Sequence, residues 1–161
     1  MIKEYGKAAV TFVAAVLLVF LYLMIFQFSA QDGESSGGLS YKASETCVTV
    51  AYDLSGKHWS DAFRQELVAC LEVPIRKMAH FSEYAVMGIL LYVMWRPWMH
   101  KGKRLYGLVI LWVLFSAMGD EIHQTFVPGR CGSVADVFLD TCGGIFGVFF
   151  CILSERLKAR H

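Results

Sequence analysis

Between Ala8 and Phe28 the chain places 21 consecutive residues without a charge. At 1.5 Å of rise per residue, such a helix crosses a hydrocarbon core of about 30 Å. Lys3 and Lys7 precede the block, as in a signal peptide, but a signal's apolar stretch is about 7–15 residues long and ends at small residues. Here Phe28 stands where a small residue is wanted before Ala30, so the block reads as a retained span. Three further apolar blocks follow, at about 78–95, 105–124 and 134–153. Together they raise the hydrophobic share to 56%, above the roughly 45–50% of a soluble domain.

The basic residues orient these blocks. Lys3 and Lys7 precede the first, Arg96, Lys101, Lys103 and Arg104 separate the second from the third, and Arg156, Lys158 and Arg160 follow the fourth. The positive-inside rule then puts both termini in the cytoplasm. The expected architecture is all-α: an integral membrane four-helix bundle, one domain over 1–161, with an extracytoplasmic loop over 29–77. Residues 31–40 of that loop are rich in Gly and Ser and read as flexible or turn-forming. Ser60 can cap an amphipathic helix in which Trp59, Phe63, Leu67 and Leu71 recur every four residues. That helix is expected to lie on the outer membrane surface, anchored or covering a pocket through Trp59 and Phe63, and to end at Pro74. Val48 to Tyr52 is too short a run to decide between strand and helix. With 15 basic and 14 acidic residues there is no broad cationic face, which excludes nucleic acid as a partner. Five cysteines do not make a disulfide scaffold; Cys47 with Cys70, both in the outer loop, is the pair to test.

The spans carry ionisable residues, and these are not scattered. Arg76, Lys77, His80 and Glu83 enter the second block, Asp120, Glu121, His123 and Gln124 leave the third, and Arg130 and Asp136 flank the entrance to the fourth. All fall near the outer membrane face. Helical spacing groups Lys77, His80 and Glu83 or Tyr84 on one side, Ser116, Asp120, His123 and Gln124 on another, and Asp136, Asp140, Gly143 and Gly147 on a third. A charge at the bilayer centre costs about 2.5–3.5 kcal/mol on insertion scales, so these groups must face one another, water or a ligand. Gly143, Gly144 and Gly147 let another helix approach closely. The expectation is an outward-facing polar pocket, or a buried network of neutralising pairs (His80–Glu83, Arg130–Asp136, Asp120–His123), between the second, third and fourth helices.

Four stretches also resemble a known family: Arg76-Lys-Met-Ala-His-Phe-Ser-Glu-Tyr84, Asp120-Glu-Ile-His-Gln-Thr-Phe-Val-Pro-Gly-Arg130, Gly132-Ser-Val-Ala-Asp136 and Gly143-Gly-Ile-Phe-Gly147. They are similar to the VanZ family of small bacterial membrane proteins, named for a teicoplanin-resistance component. The end of the first span, Phe28-Ser-Ala-Gln31, is also similar to the family's. The resemblance implies a multi-pass protein of the bacterial cytoplasmic membrane linked to the cell envelope and to glycopeptide resistance, without implying a reaction. Where relatives tend to carry Asn in the fourth helix, this chain has Asp140.

Two chemistries fit the cluster. In a binding protein, Arg76, Lys77 and Arg130 clamp an anionic group, Arg130 through its bidentate fork, while Tyr84, Glu121, Gln124 and Asp136 make the remaining polar contacts. The partners are then membrane lipids and a lipid-linked cell-wall precursor or lipoglycopeptide. In an enzyme, His80, Glu83, Asp120 and His123 do acid–base work on an outer-leaflet headgroup or precursor. No cofactor is expected, the alternative being a divalent metal held by those four residues. Proton transport is set aside, because Ile89 to Trp95 carries no ionisable residue to pass a proton onward.

Overall fold

The computed structural model describes residues 2–31 and 33–160, with side chains for 4–31 and 38–160. The described residues form five helices and no strand: α1 (Ile2–Ser29), α2 (Gly33–Ser55), α3 (Asp61–Trp95), α4 (Lys103–Gln124) and α5 (Val134–Lys158).

Three helices are long and apolar enough to cross a membrane: α1 from Glu4, α4 and α5. Their surfaces are inverted relative to a soluble protein. Phe12, Val16, Phe20 and Leu23 of α1, Leu111 and Phe115 of α4, and Phe138, Phe146, Phe149 and Phe150 of α5 all point outward. A soluble monomer rarely exposes so much contiguous apolar surface; lipid tails cover it without cost. The second expected span, 78–95, is not among the three, because His80, Ser82, Glu83 and Tyr84 dilute its first half. It is partly covered by protein instead, with Met78 and Val86 still exposed. α3 packs against all four other helices, while α4 also packs on α5 and on α1. Its Tyr84, Met87, Leu91 and Tyr92 join Leu18, Leu21 and Ile25 of α1 and Leu105, Val109 and Val113 of α4 in one core.

Lipid is as apolar as leucine, so helices associate in it through close packing rather than hydrophobic transfer. The α3–α5 seam follows that rule. A Cβ on Gly143 would run into the Phe81 carbonyl, one on Gly147 into the Ala85 carbonyl, and one on Gly88 into the Gly144 carbonyl. The expected close approach along Gly143, Gly144 and Gly147 is therefore made against α3. Gly144 itself faces the Val113 side chain of α4.

The outer loop departs from expectation in two ways, over residues 33–40 and at Pro74. Gly33 to Ser40 is helical rather than a flexible linker, and Val48 to Tyr52 continues the same helix. The organising signal is a stripe of mostly small residues at four-residue steps, Ser40, Ser44 and Val48, all buried against α3. The expected helix start at Ser60 is present, with Ser60 Oγ accepting from the Phe63 amide at 3.3 Å. Yet Pro74 does not end it: α3 runs unbroken for 35 residues, about 52 Å. Proline deletes one donor, and the carbonyl left over belongs to Cys70, at an exposed position where water can reach it. The expected surface helix is thus the first half of α3, paired with α2 as a hairpin. Trp59 and Phe63 serve that hairpin: Trp59 meets Tyr52 edge-on at 5.8 Å and Phe63 at 5.6 Å, and Gly56 turns the chain with φ of 60°. All five cysteines are free thiols, Cys47 and Cys70 included.

The chain ends and the α3–α4 turn gather at one end of the bundle. Arg96 Nε donates to Glu155 Oε1 at 3.2 Å, Lys101 pairs with the other Glu155 oxygen, and the Trp98 indole donates to Thr11 at 2.7 Å. The basic segments singled out in the sequence meet there. The ionisable layer lies at the opposite end.

Candidate functional site

The inward stripe of α4 explains how the polar layer is built. Leu105, Val109, Val113 and Ala117 are fully buried at four-residue steps, and the same stripe continues into Glu121 and Gln124, also buried. α5 supplies Asp140 on the buried face that its glycines occupy one turn later. The interior therefore changes from apolar to polar within one turn.

The α4–α5 loop closes this end. Gly129, at φ of 73°, turns the chain, and Gly132 sits against α4 where a Cβ would come within 2.6 Å of the Glu121 carbonyl. Ser133 then caps α5: its Oγ accepts from the Asp136 amide at 3.3 Å, and its own amide donates to Glu121 Oε2 at 2.7 Å. A buried carboxylate is costly unless hydrogen-bonded, and Glu121 meets that requirement by holding the start of α5. Arg130 Nη2 donates to the Phe28 carbonyl at 3.1 Å, which ties the loop to the last turn of α1. Lys77 Nζ reaches Asp136 Oδ1 at 2.5 Å, joining α3 to α5.

These contacts enclose a cavity of about 310 Å³. Arg76, Lys77, Arg130, Glu121, Asp136 and Asp140 line it, with His80 and Gln124 also in the wall; Arg76 donates to Glu72 Oε1 at 2.8 Å and to Ser40 Oγ at 3.2 Å. A second cleft of about 270 Å³ adjoins it, walled mainly by Phe28, Leu39, Ile75 and Ala79. Arg76, His80 and Arg130 line both.

Of the residues expected to bind a ligand, Lys77, Glu121, Gln124, Arg130 and Asp136 line the first cavity. Tyr84 lies in the core, only 1% exposed. The four expected to do acid–base work are divided. His80 lines both cavities and Glu83 the second, with His80 Nδ1 3.7 Å from Glu83 Oε2. Asp120 acts electrostatically on both but spends one oxygen on the Gln124 amide, 3.1 Å away. His123 turns to α1, with its Nδ1 3.4 Å from Ser29 Oγ and its ring 4.7 Å from that of Phe26. Among the described residues no group of three or more His, Cys, Asp or Glu side chains is placed to hold a metal ion. The single face expected for Ser116, Asp120, His123 and Gln124 splits for the same reason: Ser116 Oγ meets the Tyr22 hydroxyl of α1 at 2.5 Å, whereas Gln124 points inward.

Two features of the site were not drawn from the pattern. Ser133 was readable as a cap, since Ser133-Val-Ala-Asp136 opens an apolar run with a Ser-x-x-Asp box. The reach of Arg76 into both cavities had no signal, because a charge one turn before a span is ordinarily a solvated flank.

Neither the curated proteins nor the solved structures give a match to the chain. The sequence profile of the VanZ/LLP1 family, in contrast, matches residues 13–155 of the 161, a stretch that takes in four of the five helices completely or nearly so and every residue of the polar cavity. The chain belongs to the VanZ/LLP1 family.

Proposed function

We propose that this VanZ-like membrane protein belongs to the bacterial cell envelope, with both termini in the cytoplasm, and binds the phosphate-bearing head of a lipid-linked ligand at the outer leaflet without transforming it. The observation that carries this reading is the cavity that Arg76, Lys77 and Arg130 line together with Glu121 and Asp136. Arginine matches phosphate with a planar fork of donors, and the acids of the wall accept from hydroxyl or amine groups of the same ligand. At about 310 Å³ the cavity is at the lower end of the roughly 300–1,000 Å³ of small-molecule sites. It suits a headgroup or one end of a cell-wall precursor; a lipoglycopeptide enters by one part only. A link to teicoplanin resistance then arises indirectly, because a precursor whose head is held at the outer leaflet is withheld from the antibiotic. No cofactor is needed.

A catalytic reading draws on one observation, the paired His80 and Glu83 beside the second cleft, with Nδ1 and Oε2 both buried and, among the described residues, without hydrogen-bond partners. Farnesyl pyrophosphate, a prenyl chain with a phosphate head, separates the two readings. Binding predicts that Arg130→Ala weakens its affinity about tenfold to a hundredfold, the worth of one charge-assisted hydrogen-bonded contact, and that no phosphate is released. Phosphate release abolished by Glu83→Gln, with affinity intact, establishes catalysis instead. Orientation is tested on the native chain with a membrane-impermeant maleimide on intact cells. Exposed Cys47 and Cys131 are labelled if the cavity faces outward, whereas labelling only after permeabilisation overturns the topology.

A further inference from the structure

Asp140 is fully buried, and among the described residues neither of its carboxylate oxygens has a hydrogen-bond partner. Buried polar atoms are paired in the great majority of cases. The other two acids of the cavity are engaged, Glu121 by the Ser133 amide and Asp136 by Lys77. Asp140 is therefore an acceptor in the cavity wall with nothing to accept from. Its complement is a ligand group that only donates, and a primary ammonium, with three N–H bonds and no acceptor, is that group. The same cavity is lined by Arg76 and Arg130, which also line the adjoining apolar cleft. A ligand whose phosphate lies against these two arginines has one end in each cavity.

We propose that the two cavities are a single site for a zwitterionic phospholipid with a primary amine. Its phosphate lies between Arg76 and Arg130, its ammonium against Asp140, and its hydrocarbon chain along Phe28, Leu39, Ile75 and Ala79. This rests on the headgroup-binding reading of the same pocket. Charge selects the class: Arg76 is already paired with Glu72 and Lys77 with Asp136, so a zwitterion, which adds no net charge, leaves the balance unchanged. A glycerol head offers Asp140 only neutral hydroxyls and leaves the phosphate's negative charge uncompensated, and a quaternary ammonium has no N–H to give it. Both are rejected by what they leave unpaired.

The test uses the full chain in a phosphate-free detergent, with dihexanoyl phosphatidylethanolamine, phosphatidylcholine and phosphatidylglycerol as probes. The wild type binds the ethanolamine lipid about tenfold or more above the other two, the worth of one charge-assisted hydrogen bond. Asp140→Leu, which removes both acceptors, erases that preference while binding persists at the choline level. Asp140→Asn keeps one acceptor, reduces the preference, and serves if the leucine variant does not fold. Ala79→Trp fills the cleft, so it weakens all three lipids but not free phosphoethanolamine. Equal binding of the ethanolamine and choline lipids, a preference for the glycerol lipid, or an unchanged preference in Asp140→Leu overturns the inference. In those cases the headgroup-binding reading stands as long as Arg130→Ala weakens every lipid. If Arg130→Ala weakens none, that reading falls as well.

Discussion

Gly147→Ala adds one methyl group at the α3–α5 seam, and the structure shows what it meets. Besides the Ala85 carbonyl, the new Cβ lies 3.0 Å from Ala85 C and 3.2 Å from Ile89 N. These are backbone atoms on a packed helix, which no rotamer change can move aside, so the helices must separate. Overpacking costs about 1–3 kcal/mol, and rigid backbone neighbours put this site at the upper end. Alanine's better helix propensity returns about 1 kcal/mol. The net loss is about 1–2 kcal/mol, a fall in Tm of about 2–8 °C at roughly 2–4 °C per kcal/mol for a chain of this size. Gly119→Ala is the matched control, because its Cβ meets nothing within 4 Å. There only the propensity gain remains, about 0.5–1 kcal/mol, and Tm rises by about 1–4 °C. Heating the detergent-solubilised protein and following the folded fraction by size exclusion measures both. If the two alanine variants melt together, the seam is not backbone against backbone, and the placement of Asp136 and Asp140 beside Lys77 loses its support.

Two further substitutions test how the site is held. Ser133→Ala removes the cap of α5, and its cost of about 1 kcal/mol is read as a Tm lower by about 2–4 °C; the same change frees the first turn that carries Asp136, so affinity for phosphate-headed probes falls with it. Pro74→Ala restores the missing amide to an exposed turn and gains up to about 3 kcal/mol, seen as a Tm several degrees higher, whereas an unchanged or lower Tm shows that proline shapes the wall bearing Val73 and Arg76.

Much of the molecule was legible residue by residue. The apolar helices over 8–28, 105–124 and 134–153 emerge from hydrophobic length, the start of α3 from Ser60, and the gathering of Lys77, Glu121, Gln124, Arg130 and Asp136 from their common position near one end of the apolar blocks. Other features were not legible. Pro74 reads as a stop because the rule concerns the isolated helix, whereas here the carbonyl left without a donor belongs to Cys70, at an exposed position. Residues 33–40 read as a linker because Gly and Ser are weak helix formers, yet small side chains suit a helix that must lie close against another. His123 shares a helical face with Asp120 on paper, but α1 stands nearer to it and draws it away.

By itself, then, the amino-acid sequence determined a membrane helical chain with its charge segregated to two ends, since hydropathy and charge are local and are read without knowing any neighbour. Which helix contacts all the others and which carboxylates find donors depend on how five helices pack. Only the tertiary structure decided that α3 packs against the four others, that Lys77 and Ser133 satisfy Asp136 and Glu121, and that Asp140 has no hydrogen-bond partner among the described residues. A hydrogen bond requires two groups within about 3 Å, and no spacing along one chain specifies that distance between two helices.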